Sequence, residues 1–200
     1  MNQKRNPNHP KKGDKTKASP IKDLSYVKAI IKNLAIKRRD RLLFIIGTNT
    51  WLKIGVLLEL KVRDVKDLEI GDTYIFQESK EENGKSLVIN LKIYKTLKKY
   101  FKEEKPKDED FLFKSRKGKG PLERETVNGL IKEWTEGARL EGHYGCESLR
   151  KTFGYHQRME YGVGLDVLCE KFNYSRPATL SKFLEIPEGK PVSILKNTIE

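Results

Sequence analysis

Glu147-Ser148-Leu149-Arg150-Lys151-Thr152-Phe153 sets a carboxylate, a guanidinium and an amine within one helical turn or so. Arginine at such a place suits a phosphate, because its planar fork offers two parallel N–H bonds. Glu147 lies three residues before Arg150 on the same helix face, so an internal ion pair is an equally open reading. Downstream, Tyr174-Ser175-Arg176-Pro177 adds a phenol and a second arginine, and Lys182-Phe183-Leu184 adds a ring with no oxygen. Upstream stand two lysines, Lys53 after Trp51 and Lys80 before the Asn83-Gly84 dipeptide. Each reads as a solvated charge or as a phosphate ligand. Lys114, Arg116, Lys117 and Lys119 crowd a loop with Gly118 and Gly120. That loop could bring cations close to a sugar–phosphate backbone, or be a plain surface loop.

Elements must position these groups, and composition bounds what the elements can build. Two hundred residues suit one domain with tails, large enough for a core without disulfides or metals. With 36% hydrophobic and 34% charged residues the chain reads as a polar globular protein. No apolar run approaches the roughly 18–20 residues that span a bilayer, and no secretory leader is visible. Cys146 and Cys169 fit no zinc spacing and read as reduced thiols. A cytoplasmic location, no metal and no cofactor are the expectations. A net charge of +13 points to a polyanionic partner, double-stranded DNA above all, over a membrane.

Residues 1–20 carry six basic residues against Asp14 alone, with three prolines and no apolar period. They read as a disordered basic arm, and residues 21–200 as the domain. Leu24, Val27, Ile30, Ile31 and Leu34 predict a first helix, with Asp23 or Ser25 as its cap. A second helix is predicted from about Arg39 and a third from about Trp51. Residues 73–78 and 86–90 predict a hairpin, with a short strand before it near Val62–Val65. Helices follow over about 91–104, 123–137, 146–160, 164–171 and 176–184, the last capped by Ser175, and a short one over 191–198. The fold class is α+β, mostly helical, with one small antiparallel sheet.

This order of elements resembles the catalytic domain of tyrosine recombinases, the phage integrase family, over about residues 20–190. Thr50-Trp51-Leu52-Lys53-Ile54 through Leu57-Leu58-Glu59-Leu60 is similar to the family's T-G-L-R-I-x-E-L-L-x-L segment. Residues Glu147 to Phe153 resemble its H-x-L-R-H-T-F, and Phe172-Asn173-Tyr174-Ser175 resembles its L-G-H-S. The resemblance implies DNA breaking and rejoining. In the family a tyrosine oxygen attacks a phosphodiester, two arginines and a His or Trp hold the phosphate, and a hairpin lysine protonates the leaving oxygen. Carried over, the second arginine is Arg150, the hairpin lysine is Lys80 and the first arginine is Lys53. DNA contact is expected from these three and from Lys114, Arg116, Lys117, Lys119 and Arg176.

Three positions depart from the pattern. Glu147 stands for a histidine. At about 4 Å and an effective dielectric near 20, its charge would cost a bound phosphate on the order of 4 kcal/mol before screening. Tyr174 stands for the His or Trp, and can still donate a hydrogen bond. Phe183, nine residues after Tyr174, stands for the nucleophile. The expectation is a DNA-binding relative that lacks the phosphotyrosyl chemistry, serving recombination, integration or their regulation, in the setting of a mobile element. The alternatives are an active recombinase with a displaced nucleophile, and an interaction module. The module would pair with a competent recombinase or with itself through residues 185–200.

Overall fold

The computed structural model describes residues 17–76 and 85–187. Among them are eight α-helices and one two-stranded sheet: α1 (Leu24–Asn33), α2 (Arg38–Gly47), α3 (Ile54–Leu58), β1 (Thr73–Ile75), β2 (Ser86–Val88), α4 (Leu91–Glu104), α5 (Arg124–Gly137), α6 (Cys146–Met159), α7 (Leu165–Phe172) and α8 (Pro177–Leu184). The α+β class and the small antiparallel sheet are as expected. Lys80, most of the basic arm and the expected terminal helix over 191–198 lie outside the described residues.

The core forms around α2. Leu42, Leu43, Phe44, Ile45 and Ile46 are all fully buried, so this helix is covered on every side. It packs on α4, α6 and α1, and Phe44 meets Trp134 of α5 edge to face at 5.9 Å. Gly47 lets α6 approach, since a Cβ there would fall 2.6 Å from Leu149 Cδ1. The only charged residue buried on α2, Asp40, is held by the Arg39 fork at 2.9 and 2.7 Å. Arg39 also donates to the Lys114 carbonyl at 2.8 Å, which fixes the root of the basic loop. A second, smaller apolar cluster joins Leu168, Cys169 and Phe172 of α7 to Leu180 and Leu184 of α8. Trp51 packs against both clusters.

Side-chain caps fix the starts of two helices, α1 and α4. Asp23 accepts the Ser25 N–H at 2.7 Å, and Asn90 accepts the Ile93 N–H at 2.9 Å. β1 and β2 pair in register Thr73↔Val88, Tyr74↔Leu87 and Ile75↔Ser86.

Three expectations need correction. The third helix starts at Ile54 rather than Trp51, with Lys53 extended before it. No strand covers Val62–Val65. Both valines are buried, and a spacing of three suits a 3₁₀ turn, whereas strand residues three apart face opposite sides. The Asp64 carboxylate closes that turn on the Lys61 N–H at 2.8 Å, leaving one bridge from Lys61 to Phe111. Ser175 does not cap α8. Pro177 forces the residue before it into an extended conformation, so Arg176 becomes the cap residue.

Residues 17–22 strap across α6. Ser19 donates to the His143 carbonyl at 2.8 Å, and Ile21 is fully buried. The Ile21 N–H donates to Thr152 Oγ1 at 2.9 Å, and His156 Nε2 donates to the Ile21 carbonyl at 2.9 Å. Lys22 then pairs with Glu185, just past α8, at 3.1 Å. Among the described residues, no helix is long and apolar enough to cross a membrane.

Candidate functional site

Helix α6 carries the central groups. Its first turn is closed by Ser148, whose Oγ accepts the Gly145 N–H at 3.1 Å. One turn on, Arg150 is buried at 8% exposure and points across to α7 and α8. Its guanidinium lies 5.6 Å from the centre of the Phe172 ring and 4.9 Å from that of Phe183. Its Nε donates to Glu147 Oε2 at 2.7 Å. The ion-pair reading of Glu147 is therefore the geometry observed. Among the described residues, it leaves the two terminal nitrogens of Arg150 for another acceptor.

Arg150 borders a cavity of about 280 Å³ lined also by Lys53, Lys85, Lys171, Trp51 and Tyr174, among others. Lys53 reaches it from the extended residue before α3. Tyr174 reaches it from the tight link between α7 and α8. There Asn173 takes the left-handed conformation at φ 55°, and the Tyr174 N–H returns to the Cys169 carbonyl at 2.9 Å. Burial, opposed by the Arg150 charge, pushes the Tyr174 phenol above its usual pKa. A hollow with several cations and one phenol is suited to a phosphate group.

Phe183 sits beside this group on α8. Its ring is 5.3 Å from that of Tyr174, centre to centre, and Lys151 Nζ lies 4.7 Å over its face. Neither Tyr155 nor Tyr161 lines the cavity. Tyr155 packs on His156, and Tyr161 is 74% exposed beyond α6.

The structure thus gathers Arg150, Lys53, Tyr174, Glu147 and Phe183. The basic loop stands apart from the cavity wall. It is closed by a bridge from Lys114 to Pro121 and by the Ser115 N–H to the Gly120 carbonyl at 2.9 Å. Lys114 pairs with Asp110 at 2.7 Å, while Arg116, Lys117 and Lys119 are exposed. Arg176 is exposed at the start of α8. Trp51 and Lys151, from the motifs already quoted, belong to the same neighbourhood, as do Lys85 and Lys171, which the sequence does not single out. Lys171, six residues past Leu165, follows no motif, and only the turn of α7 brings it over Trp51 at 5.9 Å.

The family model described as "Phage integrase family" matches residues 23–187. The chain belongs to the phage integrase family. A further relative is the probable integrase/recombinase YoeC of Bacillus subtilis (strain 168), 31% identical over 172 residues that cover 84% of this chain and 90% of YoeC. Among solved structures, the XerA recombinase superposes with a TM-score of 0.70 at 15% identity, over 96% of this chain and 68% of XerA. The XerH site-specific recombinase bound to its difH substrate gives 0.64 at 19% identity, over 92% of this chain and 54% of XerH. A lambda integrase dimer bound to a core site gives 0.62 at 16% identity, over 94% of this chain. This phage integrase family member spans 52% of the lambda integrase chain, so the shared fold covers roughly half the length of that protein.

Proposed function

We propose that this phage integrase family member binds duplex DNA through the Arg150 cavity and does not cut it. The observation that carries the reading is the Phe183 ring, 4.9 Å from the Arg150 guanidinium and nine residues after Tyr174, the spacing at which the sequence resemblance puts the family's tyrosine. A phenyl ring has no oxygen with which to form a phosphotyrosyl bond. Arg150 and Lys53 hold a backbone phosphate, Tyr174 donates to it, and Arg116, Lys117, Lys119 and Arg176 extend the contact along the strand. Lys80 and the basic arm, residues 1–20, add sequence-independent contacts to the domain of residues 21–200. Such a protein occupies a recombination site as a regulator, or assists a competent recombinase there, in the cytoplasm of a cell carrying a mobile element. The recombinase–DNA complexes among its structural neighbours, XerH with difH and lambda integrase with a core site, support DNA as the partner.

The test pairs duplex binding across a salt series with a supercoiled-plasmid nicking assay under conditions that trap covalent protein–DNA adducts. Salt-sensitive retention with no adduct is expected. An adduct that disappears in Tyr174→Phe would instead identify an active recombinase with a displaced nucleophile. Loss of all DNA retention, even at low salt, would favour a protein-interaction module.

A further inference from the structure

On the far side of Phe183 and Tyr174 lies a second, larger cavity of about 620 Å³. Its wall includes Lys151, Arg124, Lys182, Asn128, Phe183 and Tyr174. Lys151 is the unusual group. Its side chain is 4% exposed, its nearest carboxylate among the described residues is Glu185 at 3.8 Å, and its amine lies over the Phe183 ring. A separation of 3.8 Å is too long for a hydrogen bond, so Glu185 attracts this amine without engaging it directly. Burial also holds its pKa below the ordinary lysine value, despite the pull of Glu185 and Glu147. The Glu147 carboxylate on the same wall is engaged by Arg150 at 2.7 Å.

We propose that this cavity is a nucleotide pocket, in which Lys151, Arg124 and Lys182 take the phosphate of one unstacked nucleotide and Phe183 and Tyr174 take its base. The volume falls in the range of roughly 300–1,000 Å³ typical of small-ligand pockets and far exceeds what one phosphate fills. Two aromatic rings 5.3 Å apart and tilted by 36° give a wall suited to stacking a flat heterocycle. The Asn128 carboxamide oxygen accepts the Cys146 N–H at 3.2 Å, which leaves its NH₂ group as a donor for a base edge. A stacked duplex cannot enter such a hollow. The occupant is therefore a free nucleoside phosphate or a nucleotide swung out of a strand, and both present the same chemistry. The pocket goes beyond duplex binding at Arg150 and does not require it.

Calorimetric titration of the whole chain with dAMP, and separately with inorganic phosphate, tests the pocket. A second arm follows a duplex carrying one 2-aminopurine, whose fluorescence rises when the base leaves the stack. Binding of dAMP, with phosphate at least about tenfold weaker, is expected. A weakening of about tenfold in Lys151→Met and in Arg124→Gln is expected too, the loss of one charge-assisted hydrogen bond. Arg124 is exposed, so that variant reports even where the Lys151 variant disturbs packing. Binding of dAMP alone assigns the pocket to a free nucleotide, and a fluorescence rise alone assigns it to a swung-out base. Silence in both arms, or phosphate binding as tightly as dAMP, overturns the proposal. Arg150→Gln keeps the two readings apart: it lowers duplex affinity while dAMP binding stands.

Discussion

At the scale of single residues, the site is a contest between one anion already present and one that must arrive. Glu147 holds the Nε of Arg150, so an incoming phosphate meets a cation whose charge is partly spent. Replacing the carboxylate by an amide keeps the shape and removes the repulsion. Glu147→Gln is expected to bind duplex roughly three- to tenfold more tightly, on the order of 1 kcal/mol for a partly exposed pair. Fluorescence anisotropy at fixed salt checks it, and unchanged or weaker binding would count against a phosphate at Arg150. Lys151 makes the opposite bargain, a buried charge held against its own solvation. Its folded-state pKa lies below the ordinary lysine value. Between those two values the unfolded chain keeps the proton and the folded chain has released it. Stability therefore rises with pH through that window, up to about 10.4, where the unfolded lysine titrates. Lys151→Met should be more stable at neutral pH by about 1–2 kcal/mol, since an apolar side chain replaces a poorly paired buried cation. The gap should narrow as pH climbs toward about 10.4. Denaturant midpoints of both proteins across pH measure it.

At the scale of elements, α6 is the beam on which the site is hung. Its Gly154 faces α7 and α8 so closely that a Cβ would fall 2.7 Å from Leu184 Cδ2 and 2.8 Å from Phe172 Cζ. Gly154→Ala should cost about 1–3 kcal/mol by overpacking, even though alanine favours the helix by up to about 1 kcal/mol. Hydrogen exchange should show α7 and α8 loosened, with α2 and α4 unaffected. An unchanged midpoint would mean that the two helices shift freely, and that the Phe183–Arg150 contact is not fixed. The sequence spoke clearly where a local rule decides. Apolar spacing foretold the helices, Asp23 showed its cap, and the three-residue spacing of Glu147 and Arg150 allowed for the ion pair they form. It was silent where distant parts of the chain meet. Phe44 reads as one more residue of an amphipathic helix and is buried because helices close over α2 from several sides. Val62 and Val65 look like strand residues, and only the local Asp64 bond turns them into a tight turn. Lys171 carries no motif, and the motif around Lys151 gives no sign of its burial; their places beside Trp51 and Phe183 exist only once α7 and α8 are packed.

Over the whole molecule, the candidate site falls at the seam between two apolar clusters. Arg150 is roofed by Phe172 from the smaller cluster and grows from a helix seated on the larger one, so the site lies where the two clusters join. In the proposed function the exposed loop cations act on the approach of DNA rather than on the fold. Replacing Arg116, Lys117 and Lys119 together by alanine should flatten the dependence of log affinity on log salt by about 2–3, at roughly 0.9 for each phosphate no longer neutralised. The melting temperature should hardly move, because none of the three is buried. An unaltered slope would place the loop away from the DNA.

The strap through Ile21 adds a mechanical consequence. Both polar atoms of that residue's backbone are tied to side chains of α6, through Thr152 and His156. A load applied to residues 1–16, by a bound partner or by an optical trap, is therefore delivered to the helix bearing Arg150 before it reaches α1. The proposed grip on an anion and the tension on the chain's leading segment would share one anchor, so pulling on the segment is a way to test for the grip.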